Sequence, residues 1–103
     1  MNFSVRRNFG KLRRHDRFVT AFEAEMILGA ERHSVVVGDI SACGALVRTT
    51  RPPLVGSEIW LRAAGLNLPA QVRWVRDGLC GVQFGEQVDP HAIVRDNSPD
   101  YQA

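Results

Sequence analysis

Two cysteines, Cys43 and Cys80, are all that a chain of 103 residues holds, and each sits among small or apolar neighbours. So few thiols, so placed, read as buried and reduced rather than as a disulfide framework, which points to the cytoplasm. No apolar run approaches the roughly 18 residues that a membrane span needs. Arg6 and Arg7 are not followed by the apolar stretch of a signal peptide. His15, His33 and His91 are scattered, with no carboxylate or thiol at metal-ligand spacing, which argues against zinc. His15 and Asp16 adjoin, but no nucleophile or third orienting group accompanies them, so no enzyme is read here. A Walker loop and a Gly-x-Gly-x-x-Gly turn are both missing, which leaves nucleotide hydrolysis and dinucleotide redox chemistry without support.

What is present is an ordinary globular mixture, 45% hydrophobic and 23% charged, long enough for one domain with a modest core. The net charge of +2 conceals a division. Residues 1–17 hold Arg6, Arg7, Lys11, Arg13, Arg14 and Arg17 against Asp16 alone, a net +5. The remaining seven basic and ten acidic residues give −3. A flexible basic arm over 1–17 on a mildly acidic body suits an anionic partner.

From residue 18 onward the pattern is that of short strands. Phe18 to Leu28 alternates, with Phe22, Ala24 and Met26 on one face and Glu23 and Glu25 on the other. Gly29 to Arg32 reads as a turn, and Ser34 to Ile40 as a Val-rich strand buried on much of both faces. A third strand spans Gly44 to Thr50 before Pro52-Pro53, a fourth Glu58 to Arg62, a fifth Leu68 to Arg76. Asp77-Gly78 is a hairpin signal leading to a sixth, Leu79 to Phe84. Asp89-Pro90 opens a short helix to Arg95, and 97–103 reads as a frayed tail. Six strands at this spacing predict an all-β, six-stranded antiparallel barrel over 18–96. Trp60 and Trp74 read as core residues of its wall, Trp74 near the end that borders the candidate site.

Two stretches carry the candidate chemistry. Arg13, Arg14 and Arg17 present guanidinium forks suited to phosphate oxygens and to the O6/N7 edge of guanine. In Asp39-Ile40-Ser41-Ala42-Cys43-Gly44 an aspartate can accept from guanine's N1 and N2 hydrogens, and Gly44 permits a turn or a close approach. By themselves, the arginines also fit a solvated basic run, and Asp39, Ser41 and Gly44 an ordinary turn. Together, Arg13-x-x-x-Arg17 and Asp39-x-Ser41-x-x-Gly44 resemble the paired signature of PilZ domains, bacterial receptors for cyclic di-GMP. The likeness extends from about Arg13 to Gly81-Val82-Gln83-Phe84.

The resemblance implies a small barrel with a tethered arginine arm, no catalysis and no cofactor beyond the ligand itself. It implies that Arg13 and Arg17 meet phosphate and the guanine Hoogsteen edge, with Arg14 as a helper and Asp39, Ser41 and Gly44 holding the base. Leu12 stands where relatives that favour an intercalated ligand dimer carry arginine, so one ligand is expected. The ligand is expected to bridge the two stretches, and a downstream protein partner to read the result. The alternatives are a PilZ-like protein-interaction module without ligand and a small β-barrel that binds nucleic acid. The intact motifs disfavour the first, and strands without exposed aromatics the second.

Overall fold

The computed structural model of the chain describes residues 17–98. Six strands follow in sequence: β1 (Phe18–Leu28), β2 (Glu31–Ile40), β3 (Gly44–Arg48), β4 (Glu58–Ala63), β5 (Leu66–Arg76) and β6 (Leu79–Phe84). One helix, α1 (Pro90–Asn97), comes last. The strands close into an antiparallel barrel in the order β1-β2-β3-β6-β5-β4, with β4 returning to pair with β1. Closure removes the exposed sheet edges that an open six-stranded sheet would present.

Period-2 alternation builds the interior. Phe22, Ala24 and Met26 from β1, Val35, Val37 and Ile40 from β2, and Ile59 and Leu61 from β4 point inward. Val47 from β3, Leu66, Leu68, Ala70 and Val72 from β5, and Cys80, Val82 and Phe84 from β6 complete the barrel interior. Each of the Val, Leu, Ile, Phe and Met side chains contributes on the order of 1.5–3 kcal/mol by leaving water. β2 is less buried than its valines suggest: Val36 faces outward and is only half-buried, because the sheet covers one face of each strand.

Two turns are tighter than the sequence reading, and the strands beside them are longer. Gly29-Ala30 alone joins β1 to β2, Gly29 taking φ 61°. Ala64-Gly65 alone joins β4 to β5, so β5 begins at Leu66. β3 ends at Arg48, short of Thr50. Asp77 and Gly78 form the predicted two-residue hairpin turn, both with positive φ (51° and 80°) as a primed turn requires.

Asp89 caps α1, its side chain accepting from Ala92 N at 3.2 Å, with Pro90 in the first turn. The helix continues past Arg95 to Asn97, whose side chain closes it onto the barrel. Asn97 Nδ2 donates to Ala64 O (2.7 Å), and Ala64 N donates to Asn97 Oδ1 (3.0 Å). Ile93 and Val94 join the core from this end. No helix among the described residues is long and apolar enough to cross a membrane.

Both tryptophans depart from the reading that placed them in the core. Trp60, 41% exposed, stands outside because Ile59 and Leu61 on either side take the inward positions. Its indole donates to Asn67 Oδ1 across the β4–β5 hairpin. Trp74, 42% exposed, is turned out by a bulge: Val72 pairs with Val82, yet Trp74 pairs with Gly81. The extra β5 residue shifts the alternation by one, which sends Trp74 to the face opposite Ala70 and Val72. Exclusion of nucleic acid for want of exposed aromatics therefore does not hold.

Candidate ligand-binding cleft

Asp39 is the penultimate residue of β2, and Ser41 to Cys43 form the turn into β3. The turn is held by its own atoms. Ser41 N donates to Gly44 O (2.8 Å), Cys43 N to Ser41 Oγ (3.2 Å), and Ser41 Oγ to Gly44 O (3.4 Å). The neighbouring chain fastens it further: Phe84 N donates to Cys43 O at 2.8 Å and Val88 N to Ala42 O at 2.9 Å. The Ser41 hydroxyl thus serves the turn, as short polar side chains commonly do.

Gly44 begins β3, opposite Gln83. A Cβ there would collide with the Val82 carbonyl oxygen and lie 3.5 Å from Gln83 Cα. The close approach that glycine permits at this position is therefore to the backbone of β6.

The two motifs meet directly. Arg17 Nη1 lies 3.5 Å from Asp39 Oδ2; the guanidinium side chain is 75% exposed and the carboxylate 20%. A pair so exposed contributes roughly 0.2–1 kcal/mol. The expectation that a ligand must bridge these stretches is replaced for Arg17, because Asp39 itself supplies the counter-charge. Arg13 and Arg14 lie outside the described residues, as does the rest of the arm over 1–16.

Arg17, Asp39, Ser41 and Gly44 line one cleft of about 430 Å³ on the outside of the barrel. Its floor follows the register across four strands. Asp39 pairs with Leu46, Leu46 with Gly81, and Gly81 with Trp74. Three strand spacings of about 4.8 Å put the Asp39 and Trp74 backbones roughly 14 Å apart as measured along the curved sheet. The Trp74 indole lies on Gly81, where a Cβ would overlap it and approach Cδ1 to 2.8 Å. Arg76 Cζ stands 5.9 Å from the Trp74 ring centroid, at the outer limit of cation–π attraction.

The cleft thus has a carboxylate with its guanidinium at one end, an apolar floor, and an indole at the other. Such a surface offers a planar base a stacking face at the indole, and at the carboxylate an acceptor for a base's N–H edge. Arg73, Gly81 and Gln83 line it too and were not among the sequence-based site residues, whereas Trp74 lines it as its place near the site implies. Trp74 and Gly81 become partners only through the bulge, which strand alternation does not reveal. Cys43, given no role by the sequence, also lines the cleft, with Gln87 Nε2 3.9 Å from its Sγ. The two described histidines do not line it: His33 bonds Glu31 at 3.0 Å, and His91 packs on Phe18 with ring centroids 5.9 Å apart.

Comparison with solved structures gives the same architecture. The crystal structure of the Borreliella burgdorferi PlzA protein in complex with c-di-GMP superimposes with a TM-score of 0.63 at 14% sequence identity. The match covers 82% of this chain and 40% of that one, so the present chain spans less than half of the PlzA protein. No match was found among curated proteins. The PilZ domain family model matches residues 11–96, most of the chain, and on that match the chain belongs to the PilZ domain family.

Proposed function

We propose that the chain is a cyclic di-GMP receptor whose ligand occupies the cleft between the Arg17–Asp39 pair and Trp74. The observation that carries this reading is the convergence of Arg17, Asp39, Ser41 and Gly44 on one cleft, although they come from separate stretches of sequence. Family membership supports the ligand class. The PlzA structure, a protein of the same fold in complex with c-di-GMP, is consistent with it.

Binding is an exchange of partners. Guanine's N1 and N2 hydrogens take the Asp39 carboxylate, which releases Arg17 to a phosphate or to the O6/N7 edge. Leu46 and Trp74 offer the apolar surface on which a base stacks. Arg13 and Arg14, just before Arg17 in sequence, close over the phosphates. Charge-assisted bonds of about 1.5–3 kcal/mol each offset the roughly 1–2 kcal/mol per residue that ordering backbone costs. The occupied cleft and its arginines form a surface that differs from the unoccupied one, and a partner protein reads the difference.

The exposed indoles do not favour a nucleic-acid reading. Trp60 pairs with Pro69, five residues along β5 from Trp74, a separation of roughly 17 Å at about 3.4 Å per residue. Successive bases cannot stack on both without a break.

Calorimetric titration with cyclic di-GMP, with GTP and single-stranded RNA as controls, tests the proposal. Affinity in the low-micromolar range or tighter, about −8 kcal/mol, is expected for cyclic di-GMP alone. No heat at about 100 μM ligand, near −5.5 kcal/mol on the same scale, overturns it.

A further inference from the structure

We propose that Arg73 is a second anion anchor of the cleft, at the opposite end from Arg17, and that the β5 bulge sets Trp74 beside it. The inference rests on reading the cleft as a cyclic dinucleotide site.

Three observations carry it. The first is the bulge itself. Between Val72↔Val82 and Trp74↔Gly81, β5 advances two residues while β6 advances one, so Arg73 has no register partner. Regular alternation would leave one of Arg73 and Trp74 outside and turn the other in. The bulge leaves both exposed, side by side, at the rim of the same cleft. Bulges re-aim side chains in this way beside binding sites.

The second observation is charge. Among the described residues no ion pair includes Arg73; its one hydrogen bond runs from Nη1 to Gln71 Oε1 at 3.3 Å. Among the described residues Asp39 is the single carboxylate lining the cleft, and Arg17 neutralises it. Arg73 is therefore an uncompensated guanidinium on the cleft wall. Glu58, the acid that lines the adjoining groove with Arg73 among the described residues, makes no ion pair with it. A guanidinium so placed attracts phosphate, or the acceptor edge of a purine, with paired hydrogen bonds.

The third is spacing. The Asp39 and Trp74 backbones are three strand spacings apart, roughly 14 Å along the curved sheet, so Arg17 and Arg73 address opposite ends of one ligand. A mononucleotide fills one end. A cyclic dinucleotide, with two bases and two phosphates on one ring, offers acceptors to both.

Calorimetric titration of cyclic di-GMP into wild type, Arg73→Gln, Arg73→Lys and Arg51→Gln, at about 50 and 300 mM salt, is the test. Arg51 is exposed and outside the cleft, so its variant removes the same charge without the contact. Arg73→Gln is expected to bind at least about tenfold more weakly with a flatter salt dependence, and Arg51→Gln to match wild type. Arg73→Lys should keep much of the salt dependence and recover part of the affinity, since lysine retains the charge but not the fork. Equal affinity and equal salt dependence in Arg73→Gln and Arg51→Gln, with wild type binding normally, overturns the assignment of Arg73 alone. Absence of binding by wild type overturns the receptor reading and this inference with it.

Discussion

Arg17 Nη1 stands 3.5 Å from Asp39 Oδ2, although 22 residues separate the two in sequence. The first residue described before β1 is thereby held over the end of β2, and two motifs that read as distant stretches become one site. Because the guanidinium is largely exposed, this pair orients more than it stabilises.

Arg17→Ala and Asp39→Ala should each change unfolding free energy by no more than about 1 kcal/mol. Both should weaken cyclic di-GMP binding by about 2–4 kcal/mol, since each leaves a charged partner unmet in the complex. Chemical denaturation and calorimetry on the same samples check the two halves. A variant that unfolds, or binds as wild type does, removes its residue from the site.

Gly81→Ala should destabilise the barrel by about 1–3 kcal/mol, because the added methyl displaces the Trp74 indole. Combining it with Trp74→Ala should recover part of that loss, a coupling that a double-mutant cycle in denaturant reads directly. Gly44→Ala should not be rescued by any single side-chain truncation, since its obstacle is the Val82 backbone carbonyl.

The two indoles should report differently on ligand. Trp74 lines the cleft, whereas Trp60 is bonded to Asn67 on another part of the wall. Titration of cyclic di-GMP should therefore alter intrinsic fluorescence in Trp60→Phe and leave it nearly unchanged in Trp74→Phe.

Burial raises the Cys80 thiol above its ordinary value of 9.0. The folded protein then keeps a proton that the unfolded chain releases. Its contribution is intact below the ordinary value and is lost as pH rises from there through the folded one. Denaturation midpoints should fall more steeply between pH 8 and about 10 in wild type than in Cys80→Val. Parallel slopes would show that other groups govern alkaline unfolding.

Asn97→Ala should cost about 1–2 kcal/mol and loosen α1 from the β4–β5 turn, because it removes both bonds to Ala64 and one to Ile93 O. Hydrogen exchange at the Ala64 amide is the sensitive measure: faster exchange there than in the rest of β4 is expected.

Much of this molecule is local and therefore legible in the chain. Alternation in Phe22-Glu23-Ala24-Glu25-Met26 fixes which face of β1 is buried, since a strand's side chains can only point to two sides. Asp77-Gly78 names its own turn because few residues tolerate two consecutive positive φ angles. Asp89-Pro90 starts α1 for an equally local reason, a side-chain acceptor followed by a preset φ. The candidate motifs Arg13-x-x-x-Arg17 and Asp39-x-Ser41-x-x-Gly44 were visible too, as spacing. What the sequence could not supply is cross-strand register. The bulge that turns Trp74 outward exists only in the pairing of β5 with β6, and nothing within Val72-Arg73-Trp74 marks it. Gly44 and Gly81 are likewise explained by neighbours 38 and seven residues away, Val82 and Trp74, whose approach is set when the barrel closes. Periodicity is a property of one strand, whereas a cleft is a property of several, and only tertiary packing decides which rows of side chains meet.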